Sequence, residues 1–257
     1  MLIGAHVPTA DPLGGAAERD AEVVQIFLSS PRRWAGPRPR SDAADLLAAS
    51  PELYVHSPYL LNPASADPVV RSRTQELLAA TCEAAALVGA RGVVVHGGQI
   101  GAGEDPAVGP ARWREALLQL ESTVPVLIED TAGGPHAVAN TIDRIGRLWE
   151  ALDGVEVPLG FCLDTCHLHA AGEELVAGTT ALKALLGRID LVHLNDSKDP
   201  AGSQRDRHDN LGAGSIDPQA LVAAVALADA PTVVETPGGA DEQAADITWI
   251  RQRLARS

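Results

Sequence analysis

The amino-acid sequence predicts an α/β fold in which eight parallel strands close into a single (β/α)8 barrel, the TIM barrel. Short apolar runs alternate with longer amphipathic segments rich in Ala and Leu, and no linker or low-complexity tract divides the chain. The length of 257 residues suits eight such units in one domain spanning residues 1–257. The alternative, a doubly wound open sheet, needs a GxGxxG fingerprint after its first strand, and Gly14 and Gly15 have the wrong spacing for it.

The predicted strands are short, β-branched and near-continuously apolar, which is typical of parallel strands buried on both faces. In chain order they are Leu2–Val7, Val23–Leu28, Leu53–Ser57, Gly92–Gly97, Val124–Asp130, Leu159–Thr165, Ile189–Asp196 and Thr232–Thr236. Helical patterns separate them and a last helix follows them, which leads us to expect eight helices. The clearest helical patterns are Val69–Gly89, Pro110–Glu121, Ala137–Leu152 and Asp241–Arg256.

The composition is that of a chain that can bury a full core, with 46% hydrophobic residues. We expect a cytoplasmic protein, because no run of about 18 apolar residues is present and the N-terminus lacks the pattern of a signal peptide. Three cysteines, an odd number in a long chain, fit reduced thiols better than disulfides. The net charge of −14 argues against a nucleic-acid partner only as a global average, because a polyanion responds to the local field.

The ends of predicted strands three to eight carry six residues of the types that bind metal ions. In TIM barrels the chemistry lies at this C-terminal mouth. Any one such residue has an ordinary structural explanation, as a helix cap or a packed core side chain, but six around one mouth do not. They are His56, His96, Glu129, Asp164, His193 and Glu235.

Three more candidate ligands lie in loops at the same mouth. His167 follows Asp164 by three residues where a strand gives way to a helix, so the two side chains diverge and could serve neighbouring ions. Asp206 and His208 are two residues apart and project to the same side of an extended segment. Imidazole and carboxylate without thiolate suit Zn²⁺, with Mn²⁺ or Fe²⁺ as alternatives. Nine ligands suit three ions with positions left open for water and substrate.

A multinuclear site of this kind is suited to phosphate ester hydrolysis. One ion lowers the pKa of a bound water, and others bind the non-bridging oxygens and the leaving alkoxide. We expect Cys162 and Cys166 to be packed thiols and His6 to support the site from the end of the first strand. We expect His136 and His169 to be helix-start or surface residues.

Six segments resemble the endonuclease IV family of zinc-dependent enzymes, which cut DNA beside abasic sites in base excision repair and belong to the xylose-isomerase-like barrels. The abundance of Ala and Gly is typical of a GC-rich genome and suggests an actinobacterial-like member. The segments are Gly4–Val7, His56–Asn62, Ile128–Gly133, Leu163–His167, His193–Lys198 and Asp206–Gly212. They occur in order along nearly the whole predicted barrel.

The resemblance implies three zinc ions, with Glu129 shared between the first two. The implied sets are His56, His96 and Glu129 for the first ion, Glu129, Asp164, His193 and Glu235 for the second, and His167, Asp206 and His208 for the third. The resemblance further implies that a hydroxide between the first two ions attacks the phosphorus on the 5′ side of the abasic sugar. Glu235, together with Glu129, would orient that hydroxide, and the products would be a 3′-hydroxyl and a 5′-deoxyribose phosphate.

The resemblance also implies loops that enter the minor groove and expel the abasic nucleotide. The matching positions are Arg32 and Tyr59-Leu60, and we add Arg33 and Arg207 as candidate DNA contacts. Basic residues cluster in the loops after strands two and seven, so the mouth is expected to be positive on an otherwise acidic barrel. We therefore expect a monomer that binds double-stranded DNA with abasic sites, with an affinity that falls with salt.

Two departures from the family pattern and two other functions qualify this interpretation. Asp130 stands where the family usually has Asn, and His96-Gly97-Gly98 stands where His-Pro-Gly is common. A single-metal sugar isomerase or epimerase of the same superfamily would need only the second ligand set, so the other five ligands discriminate against it. A catalytically inactive binder of damaged DNA would be expected to have lost some ligands, whereas all nine are present.

Overall fold

A computed structural model of the protein describes residues 1–256 and confirms the predicted barrel. The strands of these residues are β1 (Ile3–His6), β2 (Val23–Phe27), β3 (Glu52–His56), β4 (Val93–His96), β5 (Val126–Glu129), β6 (Leu159–Asp164), β7 (Leu191–His193), β8 (Asp196–Ser197), β9 (His208–Asp209) and β10 (Thr232–Val234). All except β8 and β9 form the closed barrel, in which β10 pairs in parallel with both β7 and β1. The short strands β8 and β9 pair antiparallel in the loop after β7. The predicted domain ends at Ser257, which lies outside the described residues.

The described part of the chain contains nine helices, one more than predicted. They are α1 (Pro12–Glu18), α2 (Ala43–Ala48), α3 (Pro68–Leu87), α4 (Val108–Leu118), α5 (Ile142–Ala151), α6 (Thr165–Ala171), α7 (Leu175–Leu186), α8 (Pro218–Ala228) and α9 (Ala240–Leu254). The additional helix arises because Gly172 ends α6 in a left-handed conformation, with φ +92°, before α7 begins. The connection between β6 and β7 therefore contains two helices, α6 and α7.

The predicted helix over Ala137–Leu152 is wrong in its first turn. Helix α5 begins only after Thr141, whose side chain accepts a hydrogen bond from the Arg144 backbone N–H. The segment before it is a bent loop bonded to the loops after β4 and β5: the Val138 N–H donates to the Gly98 carbonyl, and the Thr131 N–H donates to the Ala139 carbonyl. These long-range bonds override the helical pattern of Ala and Val, so this segment builds the mouth of the barrel instead.

The barrel interior is apolar at its closed end and polar at its mouth. Successive side chains of a strand point to opposite faces, so residues two apart share the interior face. One buried cluster takes a single residue from each of seven strands: Val23, Tyr54, Val94, Leu127, Cys162, Leu191 and Val233. Two positions further along the same strands stand Gln25, His56, His96, Glu129, Asp164, His193 and Glu235. The strand period therefore places a polar ring directly above an apolar plug.

Strands β1 and β2 approach each other closely at Gly4. A Cβ atom at Gly4 would lie 1.6 Å from the backbone oxygen of Val23, which is far inside van der Waals contact. Because the obstacle is backbone, Gly4→Ala must force two barrel strands apart, and we expect it to lower the free energy of unfolding by more than about 3 kcal/mol. The measurement is urea denaturation, with Gly36→Ala as the control, since a Cβ there meets nothing within 4 Å. Equal stability of the two variants would contradict this account of the close approach.

Two further sequence expectations concern the cysteines and membrane insertion. Cys82, Cys162 and Cys166 are all buried free thiols, as expected for packed side chains. Among the helices of residues 1–256, none combines the length and apolar character that crossing a membrane requires.

Candidate metal centre

The structure brings all nine predicted ligand residues together at the C-terminal mouth of the barrel. Within each group, the candidate ligand atoms lie no more than 4.8 Å apart. The groups are His56, His96 and Glu129; Glu129, Asp164, His193 and Glu235; and His167, Asp206 and His208. These are the same three sets that the family resemblance implies. Glu129 belongs to two groups, which matches its expected role as a shared ligand.

Glu129 lies at the centre of the polar ring and is only 1% exposed. Its Oε2 atom is 3.3 Å from His56 Nε2 and 3.1 Å from His96 Nε2. Its Oε1 atom is 3.0 Å from His193 Nδ1. The two oxygens of one carboxylate thus face two different groups of imidazole nitrogens, which is the arrangement that a bridging carboxylate needs.

The third group lies nearer to solvent. The Oδ2 atom of Asp206 is 3.3 Å from His167 Nε2, and its Oδ1 atom is 3.0 Å from His208 Nε2. The Asp206 side chain is 50% exposed, whereas that of His167 is buried. His208 Nε2 also lies 3.6 Å from Asp164 Oδ2, which joins this group to the second one. The third group is open to solvent and adjoins the second group, so solvent can approach the polar ring from this side.

Local structure explains why Asp164 and the loop ligands face one another. Asp164 ends β6 and caps α6, where its Oδ1 atom accepts a hydrogen bond from the His167 N–H at 3.0 Å. Its Oδ2 atom accepts from Asn195 Nδ2 at 2.8 Å and is thereby held toward β7. The β8–β9 pair carries His208 back to the mouth, and the Asp196 carboxylate fixes the following turn by accepting from the Gly212 N–H.

Two of the candidate ligand histidines are oriented by backbone carbonyls. His56 Nδ1 lies 2.7 Å from the Ser57 carbonyl, and His167 Nδ1 lies 2.9 Å from the Asp130 carbonyl. A carbonyl only accepts, so each Nδ1 carries a hydrogen and donates it. In the neutral ring the lone pair is then on Nε2, which is the atom that faces the carboxylates in both cases. This is the usual way in which proteins fix a metal-binding histidine.

The carboxylates and imidazoles of the centre shift each other's pKa. Burial acts to raise the pKa of Glu129, but the charges of His96 and His193 outweigh it and hold that pKa well below its ordinary value. Burial acts to lower the pKa of His167, but the carboxylates of Asp164 and Asp206 raise it well above the ordinary value. Against a similar burial effect, carboxylates raise the pKa of His208 to about 9. The metal-free centre therefore balances its carboxylates with imidazole protons, a role that divalent cations can take over.

The donor set fits zinc. Glu129 Oε2 and His208 Nε2 are buried and, among residues 1–256, have no hydrogen-bond partner of good geometry. Glu129 Oε2 faces His56 and His96, and His208 Nε2 faces Asp206, so a cation in each of these two groups would satisfy one of the atoms. Five imidazoles and four carboxylates are ligands that Zn²⁺ accepts, whereas Mg²⁺ prefers oxygen ligands alone. The set thus holds the ligands for up to three ions at about three side chains each.

Comparison with known proteins identifies the family. A family model described as xylose isomerase-like TIM barrel matches residues 15–253. The "Probable endonuclease 4" of Mycobacterium ulcerans (strain Agy99) is 54% identical over 254 residues, which cover 99% of each chain. The chain belongs to the endonuclease 4 family. The family and the enzyme class predicted from the motifs are thereby confirmed.

Solved structures agree with this family assignment. The endonuclease IV of Thermus thermophilus superposes with a TM-score of 0.84 at 30% identity, covering all of both chains. A D-tagatose 3-epimerase-like protein superposes with a TM-score of 0.79 at 17% identity, which shows the shared fold alone. The barrel is therefore common to both kinds of protein, and the ligand set of this family member must distinguish them.

Sequence reasoning missed two side chains that contact the candidate ligands. The Asn195 side chain spans Asp164 and Glu235, donating from Nδ2 to the first and accepting the backbone N–H of the second at 2.9 Å. Gln25 is fully buried in the polar ring and contacts His193 and Glu235. A polar residue inside the apolar run of β2, two positions after the interior Val23, was the signal that could have identified Gln25.

Asp130, the departure from the usual family residue, lies behind the metal ligands and belongs to none of the three groups. Its Oδ1 atom accepts the Asp164 backbone N–H at 2.7 Å, so the carboxyl group supports the backbone of β6. Burial, reinforced by the charges of Asp164 and Glu129, raises the pKa of Asp130 well above its ordinary value. The raised pKa favours a neutral carboxyl group. In shape and charge such a group resembles the Asn amide of the family pattern and differs from an additional anionic ligand.

The remaining predicted site residues differ in how closely they approach the centre. His6 Nδ1 is 3.1 Å from Glu235 Oε1, so His6 supports the site as expected. The prediction for His169 is wrong: it lies half-buried in the last turn of α6, with Nε2 3.2 Å from the Asp199 carbonyl. Cys166 forms an additional group with Asp164 and His208, but burial, followed by the charge of Asp164, raises the pKa of its thiol to about 12.

The predicted DNA contacts surround the mouth. Tyr59 is 51% exposed, and its ring stacks on His96 with centroids 5.7 Å apart. Leu60 beside it is half-buried, and Arg32 and Arg33 are exposed in the loop after β2.

The exposed Arg207 has a different setting from Arg32 and Arg33. Its guanidinium makes a two-point ion pair with one carboxylate, with Nε 2.6 Å and Nη2 2.5 Å from the oxygens of Asp199. Arg207 is therefore already held by the protein.

Proposed function

We propose that this family member is an endonuclease that hydrolyses the phosphodiester on the 5′ side of abasic sites in double-stranded DNA. It would leave a 3′-hydroxyl and a 5′-deoxyribose phosphate, as a step of base excision repair. The observation that carries this proposal is the meeting of all nine ligand residues in three overlapping groups at one barrel mouth. We further propose that the protein acts in the cytoplasm as a monomer with a single catalytic domain.

We propose that the three groups hold three Zn²⁺ ions. Bound zinc in the first two groups would supply Lewis acidity toward phosphate oxygens and would make hydroxide available as the nucleophile near neutral pH. Glu129 would contribute one oxygen to each of these ions, since Oε2 faces His56 and His96 while Oε1 faces His193. The third group faces solvent, and an ion held there would bind the phosphate as it enters the site.

Glu235 is the residue that we propose orients the attacking water. Its Oε1 atom accepts a hydrogen bond from Gln25 Nε2 at 2.7 Å, and its Oε2 atom lies 3.4 Å from His193 Nδ1. One carboxylate oxygen is therefore held by the barrel while the other faces the ligand group. Its side chain is 16% exposed, so water and substrate can reach it. A carboxylate held in this way can accept the proton of a water and fix its direction of attack.

The alternatives explain fewer of these residues. A single-metal sugar isomerase or epimerase requires the group of Glu129, Asp164, His193 and Glu235 alone. Such an enzyme would not need the group around Asp206, and it would not need His56 and His96 beside Glu129. An inactive DNA binder gives no reason for a complete set of nine candidate ligands at one barrel mouth, in which His56, Asp164 and His167 are held by hydrogen bonds.

A labelled duplex with one tetrahydrofuran abasic analogue tests the proposed function. The purified protein is incubated with it without added magnesium, beside a sample stripped with a zinc chelator, and zinc per chain is measured by mass spectrometry. We expect cleavage on the 5′ side, loss of cleavage on stripping, and about three zinc ions per chain. Absence of cleavage with a single bound ion would overturn the proposal and direct the search to sugar substrates.

The loop after β2 provides a test of the DNA-binding face. We expect Arg32→Ala/Arg33→Ala to weaken binding to the abasic duplex and to reduce the slope of log affinity against log salt by about 2, because each phosphate contact contributes about 0.9. Fluorescence anisotropy from about 50 to 200 mM salt measures both effects. The charge-matched control is Arg91→Ala/Arg188→Ala, whose residues precede β4 and β7 at the closed end of the barrel. Equal slopes in the two double variants would remove the β2 loop from the DNA interface.

A further inference from the structure

Strands β1 and β2 contribute no candidate metal ligand, yet their polar residues complete the ring. Gln25 of β2 is fully buried, and its amide contacts three side chains of the ring. These contacts are His193 Nε2 at 2.9 Å, Glu235 Oε1 at 2.7 Å and His6 Nδ1 at 3.0 Å. The candidate ligands lie beside the Gln25 side chain at the mouth of the barrel, and the apolar plug lies beneath it.

We propose that Gln25 is a positioning residue that fixes the tautomer of His193 and the orientation of Glu235, so that each presents one atom to the second metal ion. This inference rests on the proposed function for the identity of that ion. It concerns how the chain prepares the ligands, and it goes beyond the assignment of the nine ligands themselves.

Hydrogen-bond accounting determines which way the amide of Gln25 points. The Glu235 carboxylate oxygens are acceptors, so the Gln25 atom that lies 2.7 Å from one of them must be the NH₂ group. The carbonyl oxygen Oε1 of Gln25 then lies 2.9 Å from His193 Nε2. The opposite orientation would face the carbonyl oxygen against a carboxylate and is excluded by repulsion.

This orientation assigns the hydrogen of His193. The Gln25 carbonyl oxygen only accepts, so His193 Nε2 must carry a hydrogen and donate it. In the neutral imidazole the lone pair is then on Nδ1. His193 Nδ1 lies 3.0 Å from Glu129 Oε1 and 3.4 Å from Glu235 Oε2, which places that lone pair inside the second ligand group.

The NH₂ group of Gln25 acts on Glu235 in the same manner. It donates a hydrogen to Glu235 Oε1, and His6 Nδ1 lies 3.1 Å from the same oxygen, so His6 is a second donor to it. Oε1 is thus occupied within the protein, while Oε2 remains for the ligand group. The amide of Gln25 therefore orients two candidate ligands, one from β7 and one from the end of β10, although Gln25 itself lies in β2.

The test compares metal binding by Gln25→Met, which keeps the length of the side chain and removes its donor and acceptor. Metal-free protein is titrated with Zn²⁺ against a competing chelator, and separately with Co²⁺ while its visible absorption is recorded. We expect one of the three zinc ions to bind about 10- to 100-fold more weakly, as when the outer partner of a metal-binding histidine is lost. The cobalt spectrum is expected to change, and kcat is expected to fall while KM for the abasic duplex stays within about twofold.

Thr179→Val is the matched control for the loss of a buried hydrogen bond. Thr179 is fully buried in α7, where its hydroxyl donates to the Leu175 carbonyl away from the centre. If Gln25→Met loses stability as Thr179→Val does but keeps wild-type zinc affinity and cobalt spectrum, Gln25 is only structural and the inference is overturned.

The two proposals fail separately. A wild-type protein that binds three zinc ions but leaves the abasic duplex intact would overturn the proposed function and leave the role of Gln25 standing. A wild-type protein that cuts the duplex, with metal binding unchanged in Gln25→Met, would overturn the role of Gln25 alone.

Discussion

Stripping the metal from this protein is expected to reduce cleavage of the abasic duplex by at least about 10⁴-fold, because the charge stabilisation that metal ions supply is worth several kcal/mol and each 1.4 kcal/mol is tenfold in rate. The chain offers no substitute for that stabilisation at the reacting phosphate. Two of the four carboxylates in the centre, Glu129 and Asp164, are essentially fully buried, and anionic groups repel a phosphodiester.

The effect of metal removal on stability is expected to be smaller than the effect on activity. In the metal-free centre the pKa values of His167 and His193 are raised well above the ordinary value, against burial, by nearby acidic groups. The raised pKa values favour the protonated imidazoles, which offset part of the negative charge. We expect a loss of about 5 kcal/mol, which lowers Tm by roughly 10–20 °C for a chain of this size.

Metal addition provides the control for stripping. Three equivalents of Zn²⁺ are expected to restore both cleavage and Tm, whereas millimolar Mg²⁺ is not, because five of the nine ligands are imidazoles. Cleavage, Tm by scanning calorimetry and metal content are measured on the same samples. Full cleavage by protein that contains no zinc and is supplied with Mg²⁺ would contradict the assignment of the centre.

The sequence was sufficient for the barrel and for the six candidate ligands at the strand ends because both follow from local periodicity. Along each strand, an interior apolar residue such as Tyr54 or Val94 precedes a ligand by two positions, which correspond to one repeat of the strand. Parallel strands then bring these positions to one end of the barrel whatever the loops do. No long-range information is needed for this step.

The parts that the sequence did not predict depend on contacts between distant residues. Gln25 meets His193 and Glu235, which are 168 and 210 positions away, and nothing within β2 indicates these partners. The loop before α5 follows a helical pattern but is bonded to the loop after β4 through Gly98. Arg207 was interpreted from its charge alone, whereas its ion pair with Asp199 becomes evident only in three dimensions.

Glu235→Gln is expected to reduce kcat by about 10³- to 10⁵-fold while leaving the affinity for the abasic duplex within a few-fold. The substitution keeps the shape of the side chain but removes its charge, so the side chain can no longer take a proton from water. It also changes the contact with Gln25, whose NH₂ group then meets an amide in place of a carboxylate oxygen. Zinc per chain must therefore be measured with kcat, because only a variant that retains its metal isolates the proton-accepting role.

Glu242→Gln is the matched control for the change of charge. Glu242 lies seven positions further along, in the first turn of α9, where its side chain accepts the Gly239 N–H, a bond that a glutamine can also form. It carries the same charge near the mouth but does not belong to the three ligand groups. We expect this variant to cleave at the wild-type rate. Cleavage by Glu235→Gln at that same rate, with its zinc retained, would remove Glu235 from the mechanism and leave Glu129 as the other carboxylate proposed to orient the water.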